Sequence, residues 1–193
     1  IGCCDASSEL IDLLNNISIN TSFLITQKSR ITSKKSRIIA SQQQVVRYDR
    51  ESTDEIDKKS QEKVLNIFKK NLNNYDLILL SDYGKGLLTF YLTQSIIKIA
   101  KEKSKKVLVD PKGLDYSKYD GAFLLTPNKK EASEATNIDI CNNNSLSKSI
   151  KALKDRFHLS FSIITLSEQG VAIYDNKLRI HPTAAREVFD VTG

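Results

Sequence analysis

Four short stretches carry residue types that could handle a phosphate. In Asp76-Leu77-Ile78-Leu79-Leu80-Ser81-Asp82-Tyr83-Gly84-Lys85-Gly86, an apolar run opens onto an acid, an aromatic ring and a lysine between two glycines. Asn128-Lys129-Lys130-Glu131 follows a proline. It reads either as a helix cap with glutamate three residues on or as an amide and a carboxylate beside a phosphate or a hydrated Mg²⁺. Thr165-Leu166-Ser167-Glu168-Gln169-Gly170 offers hydroxyls and a glycine suited to a nucleotide. Asp190-Val191-Thr192-Gly193 enters a glycine turn of the kind that aims backbone N–H groups at an anion. Each stretch is weak alone, and for the first the plain alternative is a strand-to-helix turn with a solvated lysine.

The elements that must position these residues repeat one pattern. The apolar run 77–80 is short and without alternation, which predicts a strand buried on both faces. Further strands are predicted at 106–110, ending in Pro111-Lys112-Gly113, at 121–125, ending in Thr126-Pro127-Asn128, and at 161–165. Five of the seven glycines and two of the three prolines lie at or beside these ends. In open α/β sheets ligands sit beyond the carboxyl ends of the strands, so one crevice lined by successive strand ends is expected. Gly84 and Gly86 are expected to let the backbone approach the ligand.

In chain order, Asp5 is placed as the cap of a first helix with an apolar stripe at Leu10, Leu13, Leu14 and Ile17. A short strand is expected at 21–25. Two β-prone runs within 31–49 predict an antiparallel pair with no crossover helix, a small β lid standing off the main sheet. Lys35 and Arg37 share a face there at period two, although an exposed ribbon with ordinary surface charges reads the same way. Apolar spacing predicts helices around 56–72, 88–100 and 145–157, the last capped by Ser145. Asp175-Asn176 suits a hairpin turn. Alternating helices and strands make the class α/β.

The bulk numbers bound the rest. The 193 residues are 40% hydrophobic and 27% charged, as expected of one globular domain or most of one. No apolar run approaches the roughly 18 residues of a membrane span. Three cysteines and two isolated histidines give no disulfide framework or metal-ligand spacing, which fits a reduced cytoplasmic protein. A net charge of +6 favours an anionic ligand. A basic nucleic-acid-binding domain is the rival from another class, but its aromatic-plus-basic signature is missing. The chain contains no methionine, and it reads as part of a longer protein.

Taken together and in order, the motifs resemble the ribokinase-like carbohydrate kinases. Ser81-Asp82-Tyr83-Gly84-Lys85-Gly86, Val109-Asp110-Pro111-Lys112-Gly113, Leu125-Thr126-Pro127-Asn128 with Glu131, Thr165-Leu166-Ser167 with Gly170, and Asp190-Val191-Thr192-Gly193 carry the likeness. The wording is closest to the heptose-7-phosphate kinases of ADP-heptose and lipopolysaccharide core synthesis. The basic runs around Lys35-Ser36-Arg37 and Gln43-Gln44-Val45-Val46-Arg47 strengthen that narrower match.

The resemblance implies a three-layer α/β/α domain over residues 1–193, with a mostly parallel central sheet and 31–49 as part of the small β lid. It implies ATP and Mg²⁺ as cofactors and phosphorylation of D-glycero-D-manno-heptose 7-phosphate at its anomeric hydroxyl. Asn128 and Glu131 match the Asn-x-x-Glu pair, with Glu131 toward the metal. Thr165, Ser167 and Gly170 fall in the nucleotide loop, and Lys85 is placed near phosphate. Asp82, Asp110 and Lys112 are placed toward the substrate, and Lys35 and Arg37 toward the sugar's own phosphate. Asp190, Thr192 and Gly193 open the Asp-x-Thr-Gly-Ala-Gly-Asp signature, whose final base would lie beyond Gly193. The resemblance allows a homodimer and a fused or separate nucleotidyltransferase module. It implies no nucleic-acid or membrane partner. A kinase for another sugar or nucleoside is the alternative within the family.

Overall fold

The computed structural model describes residues 1–183. Asp190, Thr192 and Gly193 lie outside the described residues. The chain forms two compact units, one of residues 1–71 with 85–89, the other of 72–84 with the described residues from 90 onward.

The first unit holds helix α1 (Asp5–Asn16), strands β1 (Lys34–Ala40) and β2 (Gln43–Arg50), and helix α2 (Lys58–Asn71). The N-cap of α1 is Cys4 rather than Asp5, because the Ser7 hydroxyl turns back to accept from the Cys4 N–H at 3.3 Å. The strand expected at 21–25 is absent. Asn20 Oδ1 accepts from Ser22 N at 2.8 Å and Thr21 O from Leu24 N at 3.0 Å, so local turns take the backbone groups a ladder would need. β1 and β2 pair only with each other, antiparallel, with Arg37 opposite Arg47 and Lys35 opposite Asp49. Gly86 runs against the loop before α2, where Ile56 N donates to Gly86 O at 2.9 Å. At φ +73° a Cβ on Gly86 would overlap the Asp54 carbonyl. The neighbour that requires glycine here is the protein's own backbone, which corrects the expectation of a ligand at this position.

The second unit is built on a six-stranded sheet in the order β3-β4-β5-β6-β7-β8. The strands are β3 (Leu77–Ser81), β4 (Lys106–Asp110), β5 (Leu124–Leu125), β6 (Phe161–Thr165), β7 (Val171–Tyr174) and β8 (Leu178–His181). β3 to β6 run parallel, while β7 and β8 return as a hairpin around Asp175, whose carboxylate accepts from the N–H groups of Asn176 and Lys177. Helices α3 (Phe90–Glu102), α4 (Lys129–Thr136) and α5 (Asn143–Arg156) form the crossovers. The strand order never reverses, so right-handed crossovers put all three helices on one face. That face is dry: Leu80, Val107, Val109, Leu125, Ile164 and Ala172 are buried with Leu92, Ile96, Leu146, Ile150 and Leu153 of the helices. Each such valine, leucine or isoleucine contributes roughly 1.5–3 kcal/mol of burial.

β3 does not have two buried faces. Leu77 and Leu79 are 48% and 67% exposed, because β3 is the edge strand among the described residues and its second face meets no helix there. Two smaller differences follow from local bonds. The strand expected at 121–125 shortens to two residues, since Ala122 N donates to Tyr119 O in a turn. α5 starts earlier than expected: Asn142 is its cap, accepting from Asn144 and Ser145 N–H, and Ser145 is the reciprocal partner in the first turn.

Candidate functional site

Because β3 to β6 are parallel, their carboxyl ends lie along one edge, and hydrogen bonds tie the loops together there. Asp82 N donates to Asp110 O at 2.9 Å, Thr126 N to Val109 O at 3.0 Å and Thr165 N to Pro127 O at 3.0 Å. The sequence-nominated residues Asp82, Asp110, Lys112, Asn128, Glu131, Thr165 and Ser167 are therefore all carried by strand ends of one sheet.

Asp82 is the most enclosed of them. Its Oδ2 accepts from Lys118 Nζ and from the Tyr119 hydroxyl, both at 2.6 Å, and its Oδ1 accepts from Gly84 N at 2.7 Å. Burial pushes this carboxyl's pKa up, but the hydrogen bonds from Lys118 and Tyr119 outweigh it and hold the group below the usual carboxylate range. Lys118 and Tyr119 were missed in the sequence, where they look like part of an ordinary loop. The one available signal was an aromatic pair, Tyr116 and Tyr119, at helical spacing. Both rings are buried and meet edge to face at 5.6 Å. Burial pushes both hydroxyls well above the ordinary tyrosine pKa, and Asp82 adds to the shift at Tyr119.

Lys112 sits beside this knot. Its N–H donates to the Tyr119 oxygen at 3.1 Å, and its ammonium donates to Glu131 Oε1 at 2.8 Å. Glu131 holds the ammonium's pKa above the usual lysine value. Glu131 Oε2 accepts from Asn128 N at 3.0 Å, and Asn128 Oδ1 accepts from Glu131 N at 2.9 Å. The pair thus forms a complete capping box on α4, and the ion pair with Lys112 is added to it. Asp110 lies in the same electrostatic neighbourhood. Burial and then Glu131 raise its pKa, against the pull of Lys112.

The amino end of α4 opens onto a cavity of about 490 Å³ lined by Asn128, Lys129, Lys130, Ser133, Glu134, Asp139, Ile140 and Ser167. The positive end of the helix suits an anion, while Glu134 and Asp139 offset the charge of the two lysines, Lys130 lying 3.8 Å from Glu134. Thr165 reaches Asn128 through a parallel bridge. Gly170 adopts φ +95° and closes the turn after Ser167, its N–H donating to Ser167 O at 3.0 Å. No group of three or more His, Cys, Asp or Glu side chains among the described residues could cage a metal.

The first unit carries the remaining nominated residues. Lys35 Nζ lies 3.1 Å from Asp49 and 3.8 Å from Glu51, and Lys85 pairs with the same Glu51. Arg47 grips Asp49 with two hydrogen bonds, at 2.9 and 2.8 Å. That grip, more than the contact with Lys35, lowers the Asp49 pKa to about 2. Arg37 makes no ion pair among the described residues. His158 pairs with Asp120 at 2.7 Å, and His181 ends β8.

Carboxylates, lysines and hydroxyls thus gather at the strand ends of a mostly parallel sheet, where an α/β protein holds its ligand. The family model for pfkB carbohydrate kinases matches residues 1–193, and the chain belongs to that family. It is 60% identical over its full length to the bifunctional protein HldE of Aliarcobacter butzleri and 53% identical to that of Sulfurimonas denitrificans. It spans about 40% of the length of each. Among solved structures, ribokinase from Arabidopsis thaliana complexed with ribose and ATP superposes with a TM-score of 0.69 at 17% identity, over 98% of this chain and 62% of that one. The fold is ribokinase-like, a three-layer α/β/α class of which the six-stranded sheet and the helices on its one face make two layers. No described helix is long and apolar enough to cross a membrane.

Proposed function

We propose that the chain is the core of an ATP-dependent heptose-7-phosphate kinase. The reaction moves the γ-phosphoryl group of ATP to the anomeric hydroxyl of D-glycero-D-manno-heptose 7-phosphate, giving the 1,7-bisphosphate for ADP-heptose and lipopolysaccharide synthesis in the cytoplasm. A nucleotidyltransferase module fused to this one accords with relatives named bifunctional and more than twice as long. The observation that carries the reading is the knot at the strand ends, where Glu131 is bonded to both Lys112 and Asn128 beside the cavity at the amino end of α4.

Phosphoryl transfer asks a protein mainly to position groups and neutralise charge. In this reading Asn128, Ser167, Thr165 and Gly170 hold the nucleotide, and Lys112 offers its charge to the phosphoryl group in transfer. Asp110 would face the sugar side, with Lys85 near phosphate, while Asp82, expected from the sequence on the substrate side, is buried against Lys118 and Tyr119 and braces the strand ends instead. Mg²⁺, which would draw charge from the β- and γ-phosphates, would lie toward Glu131, whose oxygens each keep a lone pair for metal-bound water. Asp190, Thr192 and Gly193 would supply the anion hole. Lys35 and Arg37 would grip the sugar's 7-phosphate.

A second reading, a kinase for an unphosphorylated sugar, draws on the two carboxylates already beside Lys35. Measuring ADP release by the full-length enzyme with heptose and with heptose 7-phosphate separates the two. A kcat/KM at least about tenfold higher for the phosphorylated sugar, one charge-assisted contact's worth, is expected. Equal values would overturn the 7-phosphate assignment.

A further inference from the structure

Tyr119 lies at the centre of the strand-end knot and is fully buried. Its hydroxyl has one proton and three polar neighbours: Asp82 Oδ2 at 2.6 Å, Lys112 N at 3.1 Å and Lys112 O at 3.2 Å. A hydroxyl donates once and accepts with its lone pairs. The short contact to a carboxylate takes the proton, since charge-assisted bonds are the strong ones. The oxygen is then left to accept from the Lys112 N–H.

The polarity of this chain is fixed from its buried end. Lys118 and the Gly84 N–H keep Asp82 an acceptor, Asp82 orients the Tyr119 O–H, and the Tyr119 oxygen holds the backbone from which the Lys112 side chain leaves. That side chain ends on Glu131, itself fixed by the cap of α4. The Lys112 loop is thus pinned at both ends: its backbone to the end of β3 and its ammonium to the start of α4. Gly113 follows at φ +95°, with nothing within 4 Å of where a Cβ would be, so packing beyond Lys112 offers little other restraint.

We propose that Tyr119 is a positioning residue, through which the buried Asp82 carboxylate sets the place of the Lys112 ammonium for phosphoryl transfer. The proposal rests on the role given to Lys112 above. Lys118 acts one step further back, by keeping Asp82 ionised and turned inward. Neither Tyr119 nor Lys118 has to touch substrate.

Tyr119→Phe keeps the buried ring and removes only the oxygen. The test compares wild type, Tyr119→Phe, Lys112→Ala and the double variant in the full-length protein, reading kcat, KM for ATP and amide exchange at Lys112. The expected result for Tyr119→Phe is a kcat lower by about tenfold, the equivalent of one lost buried hydrogen bond, with KM for ATP unchanged. Exchange of the Lys112 amide should accelerate by a similar factor as its acceptor disappears. The double variant should be no slower than Lys112→Ala, because the two residues act as a unit. A Tyr119→Phe enzyme with wild-type kcat beside an impaired Lys112→Ala would overturn the positioning role alone, and so would additive losses in the double variant. Wild-type kcat in Lys112→Ala would instead sink the assignment of Lys112 on which the proposal rests.

Discussion

Replacing Lys118 by methionine keeps the apolar stem and removes the charge that faces Asp82. The Asp82 side chain is 3% exposed and that of Lys118 is 20% exposed. Breaking a buried ion pair by removing one partner costs about 3–5 kcal/mol, because the other charge stays buried. Here Tyr119 and the Gly84 N–H still serve the carboxylate, and Lys118 is partly wet, so the lower end of about 3 kcal/mol applies. At this chain length each kcal/mol moves Tm by about 2–4 °C, which predicts a fall of about 6–12 °C. Adding Asp82→Asn removes the stranded charge, so the double variant should recover much of the loss. The pH dependence has a definite sign. The folded Asp82 pKa lies below the ordinary value, so its contribution is present above about pH 4 and fades as pH drops through the folded pKa. Removing Lys118 takes away its hydrogen bond and its charge and so raises the folded pKa. Once that pKa passes the unfolded value the sign reverses, and stability is lost as pH rises rather than as it falls. Urea unfolding of the full-length protein at pH 7 and pH 4 reads both effects. A Lys118→Met loss under about 1 kcal/mol, or a double variant less stable than the single, would refute the argument from a buried, paired carboxylate.

Other outcomes follow from the same geometry. Glu131→Gln should keep the capping bond, since glutamine also serves in a capping box, so Tm should barely move. Its turnover should fall at limiting Mg²⁺ and recover in part as Mg²⁺ is raised, as a Mg²⁺ titration of full-length enzyme would read. Gly86→Ala forces a Cβ onto the Asp54 carbonyl at positive φ and should cost on the order of 1–3 kcal/mol in a melting experiment. Arg37→Ala should raise KM for the phosphorylated sugar about tenfold, one charge-assisted contact, while leaving KM for ATP unchanged, as steady-state kinetics would show.

The parallel core was legible because its strands are punctuated. Asp82, Asp110, Thr126-Pro127-Asn128 and Thr165 each follow an apolar run, and the structure sets all of them along one edge. The ribbon was legible for the opposite reason, since two β-prone runs without a helix between them can only pair with each other. Three features were not legible. β3 looks buried on both faces because Leu77-Ile78-Leu79-Leu80 has no alternation, yet burial depends on neighbours that composition does not show. The 21–25 segment is β-prone, but the Asn20 side chain captures its backbone first. Lys118 and Tyr119 reach Asp82 across 36 and 37 residues, a distance at which no local pattern reports contact.

The ribbon cations present a conflict that magnitudes decide. Lys35 already has Asp49 and Glu51 beside it, which by itself argues against a further anion. Counted over the whole patch, however, Lys35, Arg37, Arg47 and Lys85 have only those two carboxylates as partners among the described residues, leaving two positive charges in excess. A sugar phosphate above its second pKa of about 6 brings two negative charges. The pairs of Lys35 and Arg47 are 43–46% exposed on the basic side, and exposed pairs are worth about 0–1 kcal/mol. A charge-assisted bond to phosphate is worth about 1.5–3 kcal/mol. Exchanging the weaker partners for the stronger one is downhill, and Arg37, opposite Arg47 in the ladder and with no ion pair among the described residues, needs no exchange at all. On the proposed reading, the acids beside Lys35 would keep mutually repelling cations together until the sugar's phosphate arrives.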